Sequence, residues 1–280
     1  MKVTHVLRGE DLLSSTPRQI RVYQAMGLAL EDYPVFAHLP FVMGQDNAKL
    51  SKRNGEVSIA WYRDKGFLPE AICNYLALLG WSPGDDRENV TMKELTELFT
   101  VEKVHSSPAR FDMKKLEAIN GDKIRALTLD EFLKWSLPFL VKADVITGTD
   151  AEIELVKKAL PIIQERIIML NEVPKMLKFL FTKNFAVDAE SVSKITDDGS
   201  KQILKRSLKE LEAVSEWNHE NIEAVLRASL IEEMALKPRI AFTALRIATT
   251  GSTISPPLFE SMELLGKEAC LLRINAGLAL

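Results

Sequence analysis

The stretch KLSKRNG, residues 49–55, places Lys49, Lys52 and Arg53 within five positions, with Leu50 and Ser51 between them and Gly55 closing the run. Such a glycine-terminated basic loop suits a cradle for a polyphosphate, since a lysine is a mobile point charge that can follow negative charge as it grows in a reaction. Short basic runs also occur on solvated surfaces, and the seven residues alone do not separate the two readings. A second group is RGED, residues 8–11. Arg8 follows an apolar stretch that reads as a strand, and ligands bind outside the carboxyl ends of strands in open α/β sheets. Its guanidinium can grip a carboxylate with two N–H donors, while Glu10 or Asp11 can accept from a hydroxyl or an amine. The bland alternative is a strand end paired to a neighbouring helix.

A third stretch is STISPPLF, residues 252–259. Two prolines fix its backbone and leave little entropy to lose, so it suits a rigid apolar shelf for an unstacked RNA base. Otherwise it is the turn that starts a helix at Leu258. The remaining chemistry-bearing residues form no constellation. His5, His38, His105 and His219 share no metal-ligand spacing, and His5 reads as a hydrogen-bonded core residue. Cys73 and Cys270 belong to no CxxC pair, so neither a disulfide framework nor a metal site is expected, and Cys73 reads as packing on the inner part of a helix.

These groups need elements to position them. Val3–Leu7 reads as a short buried strand. STPRQIRVYQAMG reads as a helix capped by Thr16, with Pro17 at its first position, Gln19 completing a capping box and Gly27 as the stop. HLPFVMG looks like a second buried strand. Beyond it the pattern is helical. LPEAICNYLALLGW is stopped by Gly80. RFDMKKLEAING is capped by Asp112 and ended by Gly121. Capping boxes pair Thr128 with Glu131 and Thr149 with Glu152, and Pro161 predicts a kink or break. Residues 186–200, with DDGS, read as a connection. ILKRSLKELEAVSEW, NIEAVLRASLIEEM, KPRIAFTALRIA and the segment Leu258–Leu265 read as further helices.

The 280 residues are 46% hydrophobic and 27% charged, which fits a globular chain of two or three domains. A net charge of −3 neither requires nor excludes nucleic acid. With no basic-plus-apolar leader and no apolar run of membrane length, a cytoplasmic protein with no membrane partner is expected.

Taken in order, THVLRGEDLLSSTPRQ, FAHLP, KLSKRNG, GFLPEAICNYLALLGW, SSPARFDMKKLEAING and ISPPLFESMELLGKE resemble bacterial glutamyl-tRNA synthetase. KLSKR is similar to the KMSKS signature of class I aminoacyl-tRNA synthetases. The resemblance implies glutamate–tRNA ligation with ATP and its accompanying Mg²⁺, and tRNA(Glu) and glutamate as partners. It implies that Lys49 and Lys52 act on the triphosphate and that Lys49, Leu50, Ser51, Lys52, Arg53 and Asp11 meet ATP. Arg8, with Glu10 near it, would contact glutamate, and Ser255, Pro256, Leu258 and Arg166 would contact the anticodon.

It also implies a mainly α chain. A partial Rossmann-like α/β region would cover residues 1–60, a stem-contact segment 61–121, and helical anticodon-binding domains 122–187 and 188–280. No H-x-G-H occurs and the chain opens in mid-fold. The expectation is therefore a C-terminal portion that lacks the N-terminal catalytic half, binds tRNA and makes no adenylate alone. Two alternatives accompany it. One is a non-catalytic tRNA-binding module derived from the synthetase. The other is glutaminyl-tRNA synthetase, whose β-barrel anticodon region fits a helical 122–280 poorly.

Overall fold

The computed structural model describes residues 2–44, 49–50, 58–182 and 185–280. Ser51, Lys52 and Arg53, on which the phosphate-cradle expectation rests, lie outside the described residues. The chain divides into two compact units, Met1–Lys123 and Ile124–Leu280.

In the first unit, β1 (His5–Gly9) leads through a 3₁₀ turn, Glu10–Ser15, into α1 (Thr16–Ala25), and the chain returns as β2 (Val35–Leu39). The strands pair in parallel, from His5 opposite Val35 to Gly9 opposite Leu39. The helix between them is the crossover that a parallel pair requires. Four expectations need correction here. The first strand lies two residues later than Val3–Leu7 and is not buried: Val3 is 51% and Leu7 48% exposed. His5 is likewise exposed, bonded to the Thr4 hydroxyl at 3.0 Å. A two-stranded sheet backed by one 3₁₀ turn leaves most of its apolar side chains uncovered. Thr16 caps nothing, because Ser15 before it is already helical and the Thr16 hydroxyl is taken by Arg8 and His38. The second strand is Val35–Leu39, so HLPFVMG supplies only its last two residues, His38 and Leu39, and is not itself a strand.

Past β2, the backbone of Val42–Met43 is flanked on two sides. Leu50 N–H donates to the Val42 carbonyl at 3.0 Å, and Met43 exchanges bonds of 2.9 and 2.8 Å with Ala109 and Phe111. Helices α2 (Ile59–Lys65), α3 (Pro69–Leu78), α4 (Met92–Leu98) and α5 (Met113–Ala126) follow. The buried side of α3 is Ala71, Asn74 and Tyr75. Cys73, expected to pack inward, is exposed, since one step along a helix turns the side chain by about 100°. Gly121 does not end its helix; it is buried and α5 continues to Ala126.

The second unit contains no strand among its described residues. Its first part is α6 (Leu129–Lys142), α7 (Asp150–Ala159), α8 (Pro161–Gln164) and α9 (Val173–Phe181), packed around Phe132, Leu140, Val156, Ile163 and Leu177. Both expected capping boxes are formed, and the chain breaks into a new helix at Pro161. Residues 186–200 are not a bare connection. They hold α10 (Ala189–Val192), the buried Ile195 and the start of α11 (Asp198–Glu212). Asp197 caps α11 by accepting from Ser200 N–H at 3.0 Å, so DDGS is a helix start. Then come α12 (His219–Leu226), a π-helical turn Arg227–Glu233, α13 (Pro238–Thr250), α14 (Leu258–Leu265) and α15 (Lys267–Leu278). Their apolar faces meet in one core around Leu204, Leu211, Ile222, Leu245, Met262 and Ile274.

Candidate functional site

In the first unit the parallel pair carries Arg8 and His38 side by side near its carboxyl end, where the two residues are in register. Arg8 Nε donates to His38 Nε2 at 3.3 Å, and Nη2 donates to the Thr16 hydroxyl at 2.7 Å and the Leu12 carbonyl at 3.4 Å. Because an arginine only donates, His38 Nε2 must be the unprotonated ring nitrogen. The same nitrogen also lies 3.0 Å from the Thr16 hydroxyl oxygen. The guanidinium carbon sits 5.4 Å from the centre of the Phe36 ring. Arg8 is thus held on three sides, while Nη1 keeps its donors free among the described residues. A fixed guanidinium with spare donors is suited to a carboxylate.

Glu10 and Lys49 meet through Phe41. Glu10 Oε1 accepts from Phe41 N–H at 3.1 Å, and Lys49 Nζ lies 3.6 Å from the centre of its ring. That contact is a cation–π pair which steadies the first lysine of the basic run. Leu50 is anchored by its backbone to Val42. Asp11 is exposed on the 3₁₀ turn after β1.

In the second unit, α13 carries Arg246 toward the turn that starts α14. Nη1 donates to the Ser255 hydroxyl and the Pro256 carbonyl, each at 2.7 Å. Burial lowers the Arg246 pKa, and the nearby Arg166 lowers it further by charge repulsion. Arg166 is exposed, just beyond α8. The structure therefore gathers Arg166, Ser255 and Pro256 around a residue that the sequence did not single out. The expected apolar shelf is not at the surface: Ser255, Pro256 and Leu258 are buried, and Ile254 is the exposed side chain of the turn. Inward packing of Leu258 into the core displaces the shelf.

Beside this turn is a cavity of about 440 Å³ lined in part by Lys175, Lys178, Phe185, Gly251 and Ser255. Under it, Arg273 of α15 is buried and bonds the Thr249 and Phe179 carbonyls at 2.7 and 2.8 Å. Arg246 and Arg273 were both missed. Their one sequence signal is a lone arginine within an apolar run, TALRIA and CLLRIN. Among the described residues no group of three His, Cys, Asp or Glu is arranged to hold a metal, and no helix is long and apolar enough to cross a membrane.

Comparison with known proteins gives this geometry a family. Residues 1–118 match the model for the catalytic domain of class I tRNA synthetases (E and Q), and residues 112–278 match an anticodon binding domain. The chain is 48% identical over 283 residues to the glutamate–tRNA ligase of Saccharopolyspora erythraea, covering 99% of this chain and 56% of that protein. It is 47% identical over 281 residues to the glutamate–tRNA ligase of an Arthrobacter species, with 99% and 56% covered. The crystal structure of a glutamate tRNA ligase from Elizabethkingia meningosepticum, in complex with its amino acid, superposes with a TM-score of 0.82 at 28% identity, over 100% of this chain and 57% of that one. The chain spans a little over half the length of the relatives it matches. With its helical second unit inside the anticodon-binding match and its parallel strands inside the catalytic match, the chain belongs to the glutamate–tRNA ligase family of class I aminoacyl-tRNA synthetases.

Proposed function

We propose that this chain supplies the phosphate loop, part of the glutamate site and the anticodon-reading surface of a ligase that joins glutamate to tRNA(Glu). In the reaction the glutamate carboxylate attacks the α-phosphorus of ATP, which arrives with Mg²⁺, and pyrophosphate leaves. The terminal ribose hydroxyl of the tRNA then attacks the activated carbonyl and AMP leaves. Negative charge grows on the departing phosphates in the first step, and cations fixed nearby lower that barrier. Lys49, Lys52 and Arg53 have that role in this reading, with Leu50 and Ser51 shaping the loop. Arg8 takes a substrate carboxylate with its Nη1 side, which bonds no other group among the described residues, and Glu10 and Asp11 stand at the same strand end.

The observation that carries the RNA half is the pair Arg246 and Arg166 at the Ser255–Pro256 turn. Two like charges close together suit a polyanion, one of them half-buried with a hydroxyl and carbonyls as its hydrogen-bond partners among the described residues and with Glu260 acting on it only through its charge. The test is binding of tRNA(Glu) by this chain at two salt concentrations, with native and altered anticodons. Binding that weakens with salt and with anticodon change supports the reading; indifference to both removes it. In the full-length ligase, Lys52→Ala is expected to lower glutamate-dependent ATP–pyrophosphate exchange by roughly a hundredfold or more. Unchanged exchange would remove the phosphate-loop role.

A further inference from the structure

Arg273 is a buried cation whose hydrogen-bond partners among the described residues are carbonyls. Nη1 donates to the Thr249 carbonyl, Nη2 to the Phe179 carbonyl, and the guanidinium carbon lies 4.0 Å from the centre of the Phe185 ring. Both carbonyls belong to last helical turns, Thr249 in α13 and Phe179 in α9. Carbonyls there run out of intrahelical N–H donors and sit at the negative end of the helix dipole. A charge that would otherwise be costly to bury is thus offset by two helix ends at once.

The same contacts reach the turn before α14. Phe185, stacked on Arg273, stands so close to Gly251 that a Cβ there would lie 3.3 Å from the ring. The Gly251 carbonyl accepts from Asp188 N–H at 2.9 Å. Guanidinium, ring and glycine form one stack, and the turn from Gly251 to Ser255 rests on it beside the 440 Å³ cavity.

We propose that Arg273 is a positioning residue for RNA reading: by joining the ends of α9 and α13 and seating Phe185, it holds the Gly251–Pro256 turn in the geometry that meets the anticodon. It touches no RNA itself. The proposal rests on the anticodon-reading role given above. Lysine is a poor replacement, because its ammonium cannot fork to two carbonyls while lying flat on an aromatic face.

The experiment pairs hydrogen exchange with tRNA binding on the 280-residue chain and on Arg273→Met, Arg273→Lys and Phe185→Leu. Arg273→Met is expected to speed exchange of the Asp188 amide by about tenfold and to reduce the preference for the native anticodon by about tenfold, with helical circular dichroism kept. Arg273→Lys is expected to behave like Arg273→Met. Native exchange and native preference in Arg273→Met, or full rescue by lysine, would overturn the proposal. If Arg273→Met does not fold, Phe185→Leu decides: it keeps both carbonyl bonds, so faster Asp188 exchange with reduced anticodon preference supports the stack and native behaviour refutes it. If the unaltered chain has no anticodon preference, the RNA-reading role falls and Arg273 falls as an RNA-positioning residue with it. The exchange data then report only whether it anchors the turn.

Discussion

Arg246 Nη1 donates at 2.7 Å to the Ser255 hydroxyl and at 2.7 Å to the Pro256 carbonyl, so one guanidinium nitrogen closes the turn between α13 and α14. Hydrogen bonds from a charged donor contribute more than neutral ones. Arg246→Met keeps the apolar stem of the side chain and removes both bonds, leaving the buried Ser255 hydroxyl to bond only the Pro256 carbonyl beside it. A loss of about 1–3 kcal/mol in urea unfolding is expected. A variant as stable as the original would show that the turn is held by packing of Leu258 alone.

Gly251 ends α13 at φ +86°, and a Cβ there would stand 3.1 Å from the Ala186 carbonyl oxygen. Gly148 is similarly left-handed at φ +92°, with nothing within 4 Å of its would-be Cβ. Gly148→Ala therefore measures backbone strain alone, about 1 kcal/mol. Gly251→Ala adds a collision with backbone that cannot easily move, and its unfolding midpoint is expected to fall further. Equal losses at the two positions would mean that the Phe185–Ala186 segment yields.

The parts of this architecture that were legible in the sequence are those set by neighbours along the chain. Thr128 with Glu131 and Thr149 with Glu152 satisfy helix N–H groups three residues away, and Pro161 removes a donor from its own helix, so local pattern suffices. What failed was decided at a distance. Thr16 looks like a cap until Arg8 and His38, 8 and 22 residues away, claim its hydroxyl. Gly121 looks like a stop, yet it lies buried within α5. Leu258 and Ser255 look like a surface loop, yet Arg246 and the core beneath draw them inward. Helix α15 has little amphipathic contrast to announce it, because Cys270, Arg273 and Ile274 are buried while Leu272 is exposed. In the candidate site, residue types were readable and the two arginines that assemble the turn were not, since their partners are main-chain carbonyls and one serine hydroxyl, groups that every sequence contains.

Glu152 tests how far a cap contributes at ordinary pH. One of its oxygens accepts from the backbone N–H groups of Thr147, Gly148 and Thr149 at 3.1, 2.9 and 2.9 Å and from two threonine hydroxyls at 2.9 Å. These bonds, that of the Thr149 N–H foremost, lower its pKa from 4.5 to about 2. A carboxylate whose pKa is depressed by folding stabilises the fold above its unfolded value. That contribution fades as pH falls from 4.5 toward about 2. The gap in urea midpoint between the unaltered chain and Glu152→Gln is expected to be constant near neutrality, to shrink below 4.5 and to close near 2. A gap independent of pH would mean that the amide replaces the carboxylate as a cap.

Arg166 offers the sharpest separation of function from stability. It is exposed, and its charge acts on Arg246 as repulsion. Arg166→Gln relieves that repulsion, so the thermal midpoint is expected to hold or rise. If the pair faces an RNA backbone, the same change removes one released counterion. The slope of log affinity against log salt would then fall by about 0.7–0.9 and binding at low salt would weaken. Loss of stability with an unchanged salt slope would place Arg166 in the fold and leave Arg246 without its companion at the RNA.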